Sequence, residues 1–351
     1  MISRRELGKL LAGAGAAAAL PAPASAVDCA VHPPPSPVRP ARLAPGDTVG
    51  IVSPASLTFE GSWVDIAREQ LEAIGFRVVL GDHARAKHGY FAGTDAERAA
   101  DIHAMFADPE VRGIFALRGG WGTPRLLPLL DYDLIRAHPK VLIGYSDLTA
   151  LLNAVHQRTG LVTFHGPNAG TNLRPYTLEH LRRALLSGEP LGTLANPTKE
   201  EEEELVARTY RTLTLRGGRA RGRLVGGNLT LVAALMGTPW EIDTRGAILL
   251  LEDVEEELYR VDRMLTQLAQ GDKLRPLAGV VFGYCTDCPI GEGPSFSLEE
   301  LLHEHLGGLG VPALSGLAFG HIQKMLTLPV GLEATLDADA GTLHFDQAAV
   351  T

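Results

Sequence analysis

Residues 141–149 read Val-Leu-Ile-Gly-Tyr-Ser-Asp-Leu-Thr: an apolar run, a glycine, a polar turn and the start of a helical pattern. The apolar run predicts a buried strand that passes directly into a helix over residues 148–157. Upstream, further apolar runs lie at residues 48–52, 77–80 and 113–117, with helical patterns between them at 64–74 and 95–107. Short strands that alternate with helices favour a parallel sheet covered on both faces, so the sequence predicts an α/β fold.

The pattern changes after residue 168. A helical pattern at residues 177–186 precedes five consecutive glutamates, Glu200 to Glu204, which we interpret as a solvated connector because adjacent like charges repel. Strand and helix patterns then resume and end in a predicted hairpin over residues 333–345. The sequence therefore predicts three parts: an N-terminal parallel-sheet α/β domain (46–168), a connector (169–218) and a C-terminal mixed α/β domain (219–351).

The composition restricts the class of protein. The chain has 351 residues, of which 45% are hydrophobic and 21% are charged. These values are typical of a globular protein and exclude disorder as the main state. The formal net charge of −9 leaves no overall basic field, so nucleic acid is not an expected partner.

The first 26 residues have the features of an export signal. Arg4 and Arg5 precede an apolar stretch at residues 10–20, and Ala24-Ser25-Ala26 supplies the small residues of a cleavage site. The apolar stretch is too short for a stable membrane span. The two adjacent arginines predict a twin-arginine signal, with an ordinary secretory signal as the alternative. We therefore expect an exported, periplasmic protein.

A Pro-rich segment over residues 27–45 follows and is predicted to be an extended linker. The chain contains three cysteines, Cys29, Cys285 and Cys288. The last two have CxxC spacing, but neither a second such pair nor a histidine at zinc-finger spacing accompanies them, so a structural zinc site is not expected. A local disulfide and two free thiols are the interpretations left open.

Ser146 is the first candidate catalytic residue, because it lies at the turn between the predicted strand and helix. This turn lies at the carboxyl edge of the strands, where ligands of open α/β sheets bind. The start of the helix adds free N–H groups and a positive dipole end, which stabilise an oxyanion. The pattern lacks the second glycine of a GxSxG nucleophile elbow, and simple helix capping by Ser146 or Asp147 is the alternative.

A glycine-rich turn, Arg118-Gly119-Gly120-Trp121-Gly122, also follows a predicted strand. Its glycines allow the backbone to approach a ligand closely, which suits oxyanion donors or a carboxylate site. The spacing matches neither a phosphate loop nor a dinucleotide-binding loop. The alternative is a turn that requires glycine for its conformation alone.

Glu252 follows a predicted buried strand over residues 247–251, and a carboxylate at the end of such a strand needs a partner. It could orient a histidine, as the acid of a catalytic triad does. Locally, a salt bridge to Arg260 or Arg263 is the alternative.

His321 follows Gly320 at the end of a short apolar stretch and is free to point into a cleft. Its position alone does not distinguish it from the other histidines. His165 is the reserve candidate.

Taken in order, these segments resemble the LD-carboxypeptidase family of serine peptidases, which includes murein tetrapeptide carboxypeptidases and microcin C immunity peptidases. The resemblance covers nearly all of the chain after the linker. Matching stretches lie at residues 46–54, 118–122, 144–149, 163–167, 226–229, 237–239, 251–253 with 259–265, and 320–321 with 327–331.

The resemblance implies a Ser–His–Glu triad of Ser146, His321 and Glu252 at the interface of the two domains. It implies hydrolysis of the L,D-peptide bond that releases terminal D-alanine from murein tetrapeptides, through an acyl-enzyme and with no metal or cofactor. It also favours a homodimer.

The same resemblance leads to assignments around the triad. The expected oxyanion donors are the backbone N–H groups of Asp147 and of Gly119 or Gly120. Arg118 and Arg125 are candidates for binding the terminal carboxylate of the substrate, with structural ion pairs as the alternative.

Two other functions are left open. One is an amidase that inactivates a peptide–nucleotide antibiotic, with Trp121 or Trp240 as a platform for the base. The other is a non-catalytic peptide-binding protein of the cell envelope.

Overall fold

Over its described residues the chain forms two β-sheets, one of six strands and one of eight. The computed structural model describes residues 36–199, 202–203, 205–206, 208–291 and 293–351, all within the compact unit His32–Thr351. The predicted export signal over residues 1–26 and Cys29 lie outside the described residues. No helix in the described ranges is long and apolar enough to cross a membrane.

The N-terminal half has the predicted alternation of strands and helices. Its elements are β1 (Thr48–Val52), α1 (Ser62–Ile74), β2 (Arg77–Leu80), α2 (Asp95–Ala107), β3 (Val111–Ala116), α3 (Tyr132–Ala137), β4 (Val141–Gly144), α4 (Leu148–Thr159), β5 (Thr163–His165) and α5 (Pro175–Leu185). Local sequence explains their ends. Thr94 and Glu97 form a capping box at the start of α2, and Gly75 ends α1 with a φ of 113°.

The C-terminal half forms the larger, mixed sheet. Its strands and helices are β6 (Gly192–Leu194), β7 (Leu213–Arg216), β8 (Arg219–Asn228), α6 (Leu229–Ala234), β9 (Ala247–Val254), α7 (Leu258–Gln270), β10 (Gly279–Thr286), α8 (Leu298–Leu302), β11 (Ala313–Ser315), β12 (Leu328–Val330), β13 (Glu333–Asp337) and β14 (Thr342–Phe345). The strand order is β6-β14-β13-β8-β9-β10-β11-β7. Strands β8 to β11 are parallel, while the flanking strands are antiparallel.

The first sheet combines five strands of the N-terminal half with one strand, β12, of the C-terminal half. Its order is β12-β5-β4-β3-β1-β2, and β1 to β5 are parallel as the sequence predicts. Strand β12 pairs antiparallel with β5, with Leu328 opposite His165. The two halves therefore share a sheet as well as an interface.

Two segments predicted to be linkers are partly built into the fold. Within residues 27–45, Val38 bridges to Leu161, and Leu43 is 1% exposed because it packs in the core. Within residues 169–218, β6 and β7 form the two edges of the second sheet. Among the connector glutamates, Glu202 pairs with Lys324, whereas Glu203 is exposed.

Candidate active site

Ser146 lies in a strained turn between β4 and α4. Its φ is 67°, a left-handed conformation that non-glycine residues rarely adopt. Gly144 makes the turn possible, because a Cβ there would lie 2.8 Å from Leu148 Cγ and 2.9 Å from Asn168 Oδ1. The turn thus has the strained strand-to-helix geometry of a nucleophile elbow without its second glycine.

Asp147 precedes α4 but does not cap it with its side chain. Its buried carboxylate instead accepts a hydrogen bond of 2.8 Å from the Thr123 N–H. Burial raises the pKa of Asp147 to about 6, and the hydrogen bonds from Thr123 oppose that rise. The side chain of Asp147 therefore ties the turn to the segment after the glycine-rich loop.

His321 connects Ser146 with Glu252. Its Nε2 atom lies 2.9 Å from the Ser146 hydroxyl oxygen, and its Nδ1 atom lies 2.7 Å from Glu252 Oε2. With the proton on Nδ1, the ring donates to the carboxylate and Nε2 accepts the hydroxyl proton. The Glu252 side chain is completely buried, and that of His321 is 17% exposed.

The alternative pairing of Glu252 with an arginine of α7 is not formed. Arg260 lies 3.9 Å from Glu256. Arg263 lies over the ring of Tyr259, with 5.7 Å between the guanidinium carbon and the ring centroid.

Electrostatics make His321 a stronger base than an ordinary histidine. Burial lowers its pKa, but the hydrogen bond to Glu252 and the negative charges of Glu252, Asp253 and Glu255 outweigh burial, so the pKa is raised. The ring also packs edge-on against Tyr145, with 4.9 Å between the centroids. The contact of Tyr145 was not predicted, because an aromatic residue before the serine carries no distinctive signal.

The glycine-rich turn at residues 118–122 lies against Ser146 and contains free backbone N–H groups. In the described part of the chain, the amides of Gly119, Gly120 and Asp147 have no hydrogen-bond acceptor. Gly119 must be a glycine, since a Cβ there would lie 2.7 Å from the Ser146 Cβ. Gly120 has a φ of 117°, and its Cβ position is 2.0 Å from Ser56 Oγ. The arrangement offers donors to an oxyanion at this serine.

Two clefts meet at Ser146. The first, of about 690 Å³, is lined by aromatic and amide side chains that include Phe59, Trp63 and Asn168. The second, of about 930 Å³, is lined by side chains that include Trp121 and Glu255. Phe59 and Trp63 were not predicted, because no motif distinguishes them in the sequence.

The two candidate arginines have different surroundings. Arg118 lines both clefts, and its Nη1 donates to the Leu57 carbonyl at 3.2 Å. No carboxylate lies within ion-pair distance of Arg118 in the described residues. Arg125 lines the second cleft, but it is paired with Asp95 at 2.7 Å and stacks over Phe91 at 4.9 Å.

Trp121 and Trp240, the two candidate platforms for a base, differ in exposure. Trp121 is 61% exposed and lies 6.0 Å from the Tyr90 ring, centroid to centroid. Trp240 is partly buried and packs against a core cluster of the N-terminal half.

Cys285 and Cys288 form a disulfide, one of the two states left open. The described residues contain no group of three metal-binding side chains.

Two family models match the chain, described as the LD-carboxypeptidase N-terminal domain over residues 49–166 and the LD-carboxypeptidase C-terminal domain over residues 221–336. The chain belongs to the LD-carboxypeptidase family. The family resemblance of the sequence is thereby confirmed, and the protein is a serine carboxypeptidase.

Relatives in this family carry related names. A Bacillus subtilis protein named "Probable murein peptide carboxypeptidase" is 42% identical, covering 85% of this chain and 91% of the relative. The "Murein tetrapeptide carboxypeptidase" of Pseudomonas aeruginosa is 36% identical, with coverages of 83% and 93%. Among solved structures, the microcin C7 self-immunity protein MccF in complex with aspartyl sulfamoyl adenosine is similar, at 29% identity and a TM-score of 0.79. The match covers 90% of this chain and 100% of MccF.

Proposed function

We propose that this member of the LD-carboxypeptidase family removes the terminal D-alanine of murein tetrapeptides through a Ser146–His321–Glu252 triad and an acyl-enzyme. The observation that carries the proposal is the continuous hydrogen-bonded chain of 2.9 Å and 2.7 Å from the Ser146 hydroxyl through His321 to Glu252. The names of the relatives support the choice of substrate.

Acylation begins when the Ser146 oxygen attacks the carbonyl carbon before D-alanine and His321 Nε2 takes the hydroxyl proton. Glu252 stabilises the imidazolium that forms. The oxyanion accepts hydrogen bonds from the N–H of Asp147 and of Gly119 or Gly120, where loss of one donor costs about 3–4 kcal/mol. Nε2 then protonates the leaving amine as the C–N bond breaks.

Deacylation repeats these steps with water. His321 removes a proton from water, whose oxygen attacks the ester carbonyl, and then returns the proton to the Ser146 oxygen as the ester bond breaks. The shortened peptide leaves with a free carboxylate.

Arg118 is the better candidate for holding the terminal carboxylate of the substrate. It lies next to the proposed oxyanion donors and lines both clefts at Ser146, and no carboxylate of the described chain neutralises it. A guanidinium in this state binds a carboxylate through two parallel hydrogen bonds. Arg125 already has this kind of partner in Asp95.

A second candidate function is favoured by Trp121. This ring is 61% exposed at the second cleft, which gives a flat apolar surface for a nucleobase. The relative solved with aspartyl sulfamoyl adenosine makes an aminoacyl-sulfamoyl nucleotide the matching substrate. The triad chemistry would be the same, so the two functions differ in the acyl group that Ser146 accepts and in the group that is released.

Mass spectrometry of a murein tetrapeptide incubated with the purified protein tests the proposal. We expect loss of one D-alanine, no turnover by S146A, and normal turnover by S187A as a matched serine control. A serine-directed phosphonate should label the protein and S187A, but not S146A. Release of the nucleotide from an aminoacyl-sulfamoyl nucleotide without tetrapeptide cleavage would favour the second function and overturn the first.

We also propose, from the sequence of residues 1–26, that the protein acts in the periplasm after export by a twin-arginine signal. The substitutions R4K and R5K should leave a tagged chain in the cytoplasmic fraction.

A homodimer stays a prediction, which light scattering of the purified protein tests.

A further inference from the structure

Glu252 uses only one of its two carboxylate oxygens in the proposed triad. Oε2 binds His321, whereas Oε1 is buried and has no hydrogen-bond partner within the described part of the chain. A buried, charged oxygen without a partner is strongly unfavourable. It also leaves the carboxylate free to rotate away from His321. Something in the surroundings of Glu252 should therefore engage Oε1.

His165 is a polar side chain close to Glu252 that has no established task. It ends β5, is fully buried, and neither ring nitrogen has a partner in the described residues. Its ring packs edge-on against Phe319 at 5.7 Å and against Tyr145 at 6.2 Å, centroid to centroid. Tyr145 also packs against the His321 ring, and Phe319 lies two residues before His321 in the sequence, so His165 lies near the triad residues.

The backbone brings His165 and Glu252 together. Nδ1 of His165 lies 3.0 Å from the point where a Cβ on Gly227 would be. The next residue, Asn228, is the register partner of Glu252 between β8 and β9. Glycine at position 227 thus leaves room for the imidazole beside the strand that carries the carboxylate.

The charge state of His165 suits a donor to Glu252. Burial lowers the pKa of His165 to about 4, so the ring is neutral at neutral pH. A neutral imidazole keeps one N–H donor. It can stabilise Oε1 without adding a second positive charge that would compete with the His321 imidazolium for the carboxylate.

We propose that His165 is a positioning residue, whose ring N–H donates to Glu252 Oε1 through one enclosed water molecule. The carboxylate is then held at both oxygens, Oε1 by His165 and Oε2 by His321. The catalytic consequence of this inference rests on the proposed function, because Glu252 matters to turnover only if the triad does.

Substitution of His165 tests the catalytic consequence. H165F keeps a planar ring but removes both nitrogens, and we expect kcat to fall by about tenfold or more with KM within about twofold. H165N and H165Q each retain an amide N–H, and at least one of them should restore most of the lost rate. The matched control is H156F, which replaces another buried histidine whose pKa is lowered to about 4 and should affect stability alone.

Nitrogen-15 NMR of the wild-type protein tests the hydrogen bond itself and needs neither substrate nor a stable H165F. We expect a neutral His165 ring with one exchange-protected N–H, whose resonance shifts in E252Q and not in E300Q. A positively charged His165 ring overturns the proposal, and so does an N–H resonance whose chemical shift is unchanged in E252Q. A folded H165F with wild-type kcat overturns it as well. If wild-type protein cleaves no peptide while the NMR result holds, the proposed function fails and the hydrogen bond stands.

Discussion

Gly320 leaves no room for a side chain next to Glu252. A Cβ atom at position 320 would lie 2.4 Å from Oε2, the carboxylate oxygen that binds His321, and 2.7 Å from the Cγ of Glu252. The φ of Gly320 is +97°, which also disfavours any other residue. The close approach lets His321, the next residue, reach the buried carboxylate.

G320A should therefore displace Glu252 and lower kcat by about 100-fold, the effect of misplacing a catalytic group by about 1 Å. G237A is the matched control, because Gly237 has a φ of +77° and nothing within 4 Å of its Cβ position. It should lose about 1–3 kcal/mol of stability from backbone strain, with kcat unchanged. Steady-state kinetics and thermal unfolding of both variants test this prediction. Equal kcat values for G320A and G237A would contradict it.

The raised pKa of His321 predicts the pH dependence of the reaction. The base must be neutral to accept the Ser146 proton, so kcat/KM should fall as the pH drops through this pKa. The midpoint of the acidic limb should lie above 6.5, the usual value for histidine.

Substitutions of the acidic neighbours should move this midpoint in a graded way. E252Q removes the negative charge and replaces the carboxylate hydrogen bond by a weaker neutral one, so the midpoint should move down. E255Q removes a more distant charge and should give a smaller shift in the same direction. A midpoint that is unchanged in E252Q would show that another group controls the limb.

Arg118 and Arg125 should respond differently to removal of their charge. R118Q should lower kcat/KM by about 100-fold for a peptide with a free terminal carboxylate, since truncating one partner of a buried charge pair costs about 2–5 kcal/mol. A peptide with an amidated terminus should be a poor substrate for the wild type and should be affected little by R118Q. R125Q should lower stability only, through loss of its contact with Asp95. A larger loss of kcat/KM in R125Q than in R118Q would show that Arg125 binds the terminal carboxylate of the substrate.

The Cys285–Cys288 disulfide should contribute little to stability. The two cysteines are three residues apart in sequence, and closing so short a loop is worth about 2 kcal/mol at most. Neither cysteine lines the clefts at Ser146. The double substitution C285S/C288S should thus lower the unfolding free energy by no more than this, with kcat within about twofold. Chemical denaturation and kinetics provide the measurements, and a large loss of kcat would give the loop a role in positioning β9.

The α/β alternation was predictable because short apolar runs and capping residues act locally. Strand β4 and helix α2 lie where the sequence predicts them. Strand β9 was predicted to end at residue 251, yet it continues to Val254. The reason is a tertiary contact that no local pattern shows. The buried carboxylate of Asp253 accepts hydrogen bonds from the Asn228 amide and from the Thr230 hydroxyl.

In the candidate site, too, the tertiary contacts could not be predicted from local sequence. The sequence named Ser146, His321 and Glu252 through a family resemblance, and the fold brings them within hydrogen-bond distance. Local reasoning favoured an arginine as the partner of Glu252, because the residues that compete for a charge depend on tertiary packing. For the same reason, the pairing of Arg125 with Asp95 could not be read from spacing.

The pairing of β12 with β5 has a consequence for synthesis on the ribosome. Until about residue 330 has emerged, the edge of the serine-bearing sheet has no neighbour, and its free N–H and C=O groups stay exposed. An unfinished chain therefore carries the hydroxyl without its imidazole, on a sheet that is still incomplete. Strand β12 lies shortly after His321 in the sequence, so the growing chain gains the proposed base and completes its first sheet at nearly the same point.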